Sequence, residues 1–366
     1  MGEKLSWPDR HDTPDPCAGM AGKARTSRIS VAFRLASDDE DVMTTLLITD
    51  GDQTVDLLTA AGSRAIIMPW RDALHDGPIP PLDTLEAVSA VRAEHLAEVF
   101  KFDPETVAAT FAERDAVMRR HAEFDRVELW FEHDLYDQLQ LLQILDFFAR
   151  EGRSQGIVIV QADSFFAMER PDTVMRFAID GVRVSPALLE MAATVWSELT
   201  SPTPERIAKR AARPIKGFPF LQQALGRFLE ELPQPKTGLN RTEMRLLDSL
   251  GLEDMSAAAL FHQARQAEEA AFMGTWPFYA VIDSLAFCDF PLIEGLHAPY
   301  SHADSEVHAE YVTAPLRLTM VGEDILAGDQ DHVSTNGIKR WWGGTQMSGF
   351  SAWRFNRDTR ELLAPC

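Results

Sequence analysis

The chain is poor in the residues that staple small or exported folds. It has three cysteines, Cys17, Cys288 and Cys366, and they are far apart with no CxxC pair. That argues against a disulfide framework or a zinc knuckle and fits a reducing compartment, so a cytoplasmic location is expected. Long apolar runs are lacking as well. None approaches the roughly 18 to 20 residues that span a bilayer, and no basic stretch followed by an apolar leader opens the chain. Positive charge is scarce, with 35 Lys and Arg against 56 Asp and Glu, a net charge of −21. Nucleic-acid binding needs phosphates neutralised by cationic side chains, so the field of the whole chain disfavours it. The motifs GxxxxGK[ST], GxGxxG after a strand, GxSxG and HExxH do not occur, which disfavours the enzyme classes built on them.

What is present is an ordinary globular balance. The 366 residues are 45% hydrophobic and 25% charged, enough for two or three domains with cores of their own. Residues 1–42 mix Pro, Gly, Asp and Ser without a period and end in Asp38-Asp39-Glu40-Asp41. They read as a disordered extension, with Met43 as the functional beginning.

From Thr44 the pattern becomes regular. Leu46-Leu47-Ile48, Ala65 to Met68, Val127 to Phe131 and Ile157 to Val160 read as strands. Helices at Asp52 to Ala61 and Leu135 to Arg150 separate them, and a helical insert from about Leu82 to His121 is broken at Asp103-Pro104. Continuous apolar strands alternating with helices predict an α/β domain over residues 43–170, a parallel sheet with helices on both faces.

After Pro171 the pattern is helical, with Pro186 to Leu199, Thr203 to Ala212 and Pro219 to Leu232 separated by prolines, an all-helical segment over 171–232. The stretch Leu232 to Gly238 reads as a linker. Beyond it come helices at Asn240 to Leu250, Ser256 to Ala271 and Pro277 to Phe287, the last capped by Thr275. A strand at Pro291-Leu-Ile, a loop carrying His297, His302 and His308, and a strand at Leu316 to Thr319 complete this part. Three helices and a β-hairpin make a winged-helix-like module over 239–330. Its third helix has one Asp and no Lys or Arg, so it is read as a structural or interaction element in preference to a DNA reader. The tail, 331–366, carries Trp341-Trp342-Gly343-Gly344 and Trp353, with five basic side chains (Lys339, Arg340, Arg354, Arg357, Arg360) against three acidic ones. Its tryptophans are read as completing the helical core or, alternatively, folding over the acidic strand ends.

In an open parallel sheet, ligands sit beyond the carboxyl ends of the strands. Those positions hold Asp50-Gly51-Asp52, then Trp70-Arg71-Asp72 leading to His75-Asp76, then Glu132-His133-Asp134 with Tyr136, Asp137 and Gln138 entering the next helix. Converging carboxylates require a cation, a proton or a basic side chain to compensate them. Asp50, Asp52 and Asp134 are therefore the expected metal contacts, for Mg²⁺ or Mn²⁺. Glu132 and His133 form the expected acid–base pair, and Arg71, Asp72, His75, Asp76, Tyr136 and Gln138 complete the ligand wall. The competing reading is local: Asp52 as a helix N-cap, Asp134 or Asp137 as another, Asp72 paired with Arg71, and Gly51 and Gly77-Pro78 as turn residues.

The run Glu128-Leu-Trp-Phe-Glu-His-Asp-Leu-Tyr-Asp-Gln-Leu-Gln140, with Asp50-Gly51-Asp52 and Pro69 to Pro78 before it, resembles the bacterial family called domain of unknown function 1835 over about Thr44 to Asp163. The stretches Leu318 to Gly328, Asn336 to Gly344 and Trp353-Arg354 are similar to the carboxyl-terminal region of that family's longer members. The resemblance implies a compact nucleotide-fold type of α/β domain and assigns no activity, cofactor or catalytic residue. Residues and resemblance together leave two expectations. One is an enzyme or sensor for a small anionic, phosphorylated or nucleotide-like ligand, acting by metal-dependent hydrolysis or group transfer. The other is a transcription-related regulator or interaction adaptor built on the winged-helix-like module, with a homo-oligomer left open.

Overall fold

The computed structural model describes residues 43–301 and 305–365. The expected extension at 1–42 therefore lies outside the described residues, as does His302. The chain begins with β1 (Thr45–Thr49), α1 (Asp52–Ala60), β2 (Ile66–Pro69), α2 (Leu85–Phe100), α3 (Pro104–Arg119), β3 (Arg126–Phe131), α4 (Leu135–Arg150) and β4 (Ile157–Gln161). These strands lie side by side in the order β2-β1-β3-β4, all parallel. A two-residue strand, β5 (Val182–Arg183), closes the edge antiparallel to β4. It is too short to carry a periodicity that the sequence would reveal.

Alternation along each strand explains why the apolar runs are unbroken. Leu46 and Ile48 of β1, Leu129 and Phe131 of β3, and Ile157 and Ile159 of β4 enter one core. Leu47, Trp130, Val158 and Val160 point the other way, into a second core with Leu58 of α1 and Phe166. Side chains on a strand alternate faces, so a sheet buried on both sides has no polar phase to show. The insert is a packed helical pair. Lys101 ends α2 in the left-handed conformation (φ 57°), and Asp103 caps α3 by accepting from Thr106 N, with Pro104 at its first position.

The helices α5 (Pro186–Leu199) and α7 (Leu221–Leu229) pack on α4, α6 (Glu205–Ala211) packs on α5 and α7, and all three share the larger core with the sheet. Next come α8 (Arg241–Leu250), β6 (Met255–Ser256), α9 (Ala257–Gln266), α10 (Thr275–Ala286), β7 (Ile293–Glu294), α11 (Ser305–Thr313), β8 (Pro315–Leu318) and α12 (Met320–Ala327). Strands β6 and β7 both pair antiparallel with β8, and the module has a core of its own around Leu246, Phe278, Ile282 and Leu316. Three local expectations change. Gly274 and not Thr275 stands at the N-cap of α10. The second helix ends at Gln266 instead of Ala271, and His308 lies within α11, where a loop was expected.

The last elements are α13 (His332–Asn336), β9 (Ile338–Trp342), β10 (Thr345–Gly349), β11 (Arg354–Asn356) and β12 (Glu361–Leu363). They do not hang off the molecule. Trp342 stacks on Phe228 of α7 at 4.2 Å between ring centres and donates its indole N–H to Phe228 O. Met347, Ala352 and Phe355 join the same core as the sheet. The β9–β10 turn presses so close to the end of α5 that a Cβ on Gly344 would lie 1.9 Å from Thr200 O. Only glycine permits that approach. The stretch expected as a linker is held down: Leu232, Pro233, Thr237 and Gly238 are buried, and Pro233 O accepts from Phe355 N. Its prolines serve as a surface for the tail, with Arg354 donating to Gln234 O and pairing with Asp331.

Candidate functional site

The sheet places its polar ends by topology. From β1 the chain runs to β2 on one side and later returns to β3 on the other, so the order reverses between β1 and β3. Their carboxyl ends flank the crevice where ligands of such sheets bind. Asp50 follows β1 and Glu132 follows β3, and both are buried. Asp137, in the first turn of α4, turns its carboxylate back to accept from Glu132 N. One carboxylate oxygen from each of Asp50, Glu132 and Asp137 lies within 4.8 Å of the others.

Neutral donors hold this group. Asp50 Oδ1 accepts from Thr49 Oγ1 and Thr54 Oγ1, each at 3.1 Å, and Glu132 Oε1 accepts from Phe166 N at 2.6 Å. Gln138 is also buried and donates through Nε2 to Glu132 O (2.6 Å) and Gln161 Oε1 (3.1 Å), while its own Oε1 has no hydrogen-bond partner. The chemistry on offer is three hard anionic oxygens, a donor set suited to Mg²⁺ or Mn²⁺.

The remaining expected residues go elsewhere. Asp52, expected at the metal, opens α1 behind Gly51 at the N-cap and pairs with Arg71, whose Nε lies 3.0 Å from Asp52 Oδ2. Arg71 sits in the left-handed region (φ 51°), a costly conformation for a non-glycine residue. The turn it makes sends its guanidinium to Asp52 and Asp72 into the interior. Asp72 therefore pairs with Arg92 of α2, not with Arg71, at 2.9 Å and with both side chains fully buried. Arg92 also donates to Ala73 O and Asp76 O. Asp134, the other expected metal contact, is the N-cap of α4, accepting from Asp137 N at 3.2 Å.

His75 is buried with its ring edge-on to Phe272 and tilted against Tyr136. Asp76 Oδ2 lies 3.0 Å from His95 Nε2. Burial pushes the Asp76 carboxyl up, but the His95 hydrogen bond and the charges of His95, His75 and Arg92 outweigh it and hold it down at about 2. His133 contacts the rings of Phe165 and Phe220 and lines a pocket of about 390 Å³ with Arg227, Arg241 and Arg360. Arg227 is nearly buried there, pairing with Glu231 and Glu268. Burial alone would lower its pKa, and the two carboxylates instead raise it.

Comparison with models of protein families finds no match, and comparison with curated proteins finds none either. The site therefore speaks through its geometry alone. Of the residues expected from the sequence, Asp50 and Glu132 come together, His75 and Asp76 share a separate cleft, and Asp52, Asp72 and Asp134 are engaged by Arg71, Arg92 and the α4 backbone. Asp137, named from the sequence only as a strand-end residue or helix cap, joins the carboxylate group, while the cap is Asp134. His95 and Arg92 were missed, because they lie on an insert with no strand end to point to them. The tail's basic side chains are mostly spoken for: Arg340 pairs with Glu243 and Arg354 with Asp331, while the Arg357 guanidinium contacts the Met244 sulfur. Among the described residues no helix is long and apolar enough to cross a membrane.

Proposed function

We propose that the α/β layer binds a divalent cation, Mg²⁺ or Mn²⁺, through Asp50, Glu132 and Asp137, and with it a small phosphorylated or nucleotide-like anion. The observation that carries this reading is the set of three buried carboxylates within 4.8 Å at the reversal of strand order. Like charges packed so closely are costly without a cation or a shared proton. A divalent cation at this point would offset most of the charge of the three carboxylates and offer coordination positions to an anionic oxygen on a chain of net charge −21. His133, next in the chain to Glu132, is the candidate proton carrier for hydrolysis or group transfer. The likeness of residues 44–163 to the domain of unknown function 1835 family is a proposed relationship that agrees with an α/β ligand-binding layer.

The test is thermal unfolding of the full chain against Mg²⁺, Mn²⁺ and Zn²⁺, with Mn²⁺ spectra read by electron paramagnetic resonance. Mn²⁺ at a hundred times its dissociation constant should stabilise the parent by about 2.7 kcal/mol. Asp137→Asn should abolish both the shift and the bound-manganese signal. A parent indifferent to all three ions would sink the metal reading.

A second reading concerns the carboxyl-terminal module. Its order helix, strand, helix, helix, strand, helix, strand, with β8 between β6 and β7, is compatible with a winged-helix-like unit in which α11 is inserted between the two wing strands. In α10 the residues Pro277, Ala280, Val281 and Ser284 share one face, and they line a cleft toward α2. A DNA reader would keep that face open and basic. The module is therefore proposed as a contact between parts of the chain or with a protein partner.

A further inference from the structure

A second cleft, of about 540 Å³, separates α2 from α10 and is closed at one side by the β9–β10 hairpin. It shares no residue with the carboxylate group at the ends of β1 and β3. Its volume is in the range of small-molecule sites, and each of its three walls has a distinct chemistry.

The α2 wall is acidic. Glu94 and Glu98 stand one turn apart on α2 and are exposed to solvent, with His95 between them in the chain. His95 is fixed from behind by Asp76 through Nε2. Gly77 (φ 79°) makes room for that ring, since a Cβ there would lie 2.1 Å from His95 Nε2. The α10 wall is smooth and apolar, formed by Pro277, Ala280 and Val281 with Met273. The hairpin wall carries Trp341 and Lys339, which lie on one face of β9 because they are two residues apart. Arg340 and Trp342 also line the cleft, Arg340 with its charge paired to Glu243 at 3.1 Å and Trp342 stacked on Phe228.

We propose that this cleft binds an organic ammonium ion with an apolar body. The half-buried indole of Trp341 offers a π face, the arrangement that attracts cations. Glu94 and Glu98 supply the countercharge, and the field of a chain at −21 concentrates cations at any such opening. The wall of α10 receives the hydrocarbon part. Lys339 repels the charged end from the hairpin's rim and so orients the ammonium toward Glu94 and Glu98 on α2. An anionic ligand would meet two unneutralised carboxylates, and a purely apolar one would leave them without a role.

The experiment uses the full chain and isothermal titration with 2-phenylethylammonium, with 2-phenylethanol and 3-phenylpropionate as neutral and anionic counterparts of the same body. The ammonium should bind, and the other two should bind at least about tenfold more weakly, a difference of about 1.4 kcal/mol. The double variant Glu94→Gln, Glu98→Gln, made at exposed positions where folding is safe, should weaken the ammonium by a similar factor, and Trp341→Leu should weaken it further. Asp50→Asn should leave it unchanged, which separates this cleft from the proposed metal site. Binding of the alcohol as tight as that of the ammonium, preference for the carboxylate, indifference to the glutamate variant, or no heat with the ammonium would each overturn the proposal.

Discussion

Asp76 in the α/β layer and Asp283 in the carboxyl-terminal module are both partly screened from water, yet they titrate in opposite directions. Asp76 has His95 against one oxygen and is held at about 2. Asp283 accepts from Tyr311 Oη at 2.8 Å and Tyr300 N at 3.0 Å, and burial pushes it up to about 6 against the lowering effect of those bonds. Neutral donors soften the loss of water, and a basic partner overcomes it. At the strand ends Asp52 and Asp72 pair with guanidinium groups, and Asp50, Glu132 and Asp137 accept from hydroxyl and backbone donors among their contacts. An acid's partner, more than its depth, decides what chemistry it is left to do.

The largest effect expected from breaking this contrast is at Arg92. Replacing it with Met leaves Asp72 as a buried charge without its guanidinium and should cost about 3–5 kcal/mol in urea unfolding. A loss below about 1 kcal/mol would mean that the pair is not the anchor of the β2 end.

Next comes pH. The folded pKa of Asp283 lies above its ordinary 3.8, so its contribution to stability is fully present below about pH 4 and is lost as pH rises through about 6. Asp283→Asn should flatten that part of the stability profile, as followed by chemical denaturation from pH 4 to 7. An unchanged slope would show that the acid titrates normally.

The smallest effect sharpens the comparison within the strand ends. Asp52→Asn should cost about 0–1 kcal/mol, as for a partly exposed pair, and leave the manganese response intact. Asp50→Asn should stabilise the metal-free chain slightly, by relieving repulsion, and remove the response. Thermal scans with and without Mn²⁺ distinguish the two, and identical behaviour would erase the division.

Much of the sheet was legible because a strand buried on both faces writes an uninterrupted apolar run, as Leu46 to Ile48 and Ile157 to Val160 do. The break in the insert was legible because Asp103-Pro104 combines a cap with an N1 proline. The candidate site was legible only as a neighbourhood. Sequence places Asp50, Asp52, Asp72 and Asp76 at strand ends, but which of them is paired depends on partners outside the motif: Arg71 turned back to Asp52, and Arg92 and His95, some twenty residues on in α2, for Asp72 and Asp76. The sticking of the tail to the core was hidden for a similar reason. Trp342 meets Phe228 across more than a hundred residues, and the glycine at 344 that lets the same hairpin close on the end of α5 carries no sign of its partner.

That contact has a consequence for biosynthesis. The core that Leu46 and Ile48 enter first also contains Trp342 and Phe355, so the sheet emerges from the ribosome some three hundred residues before the side chains that seal it. At about 5–20 residues per second, the nascent chain spends tens of seconds or less with that seam open, an interval in which a chaperone can engage it.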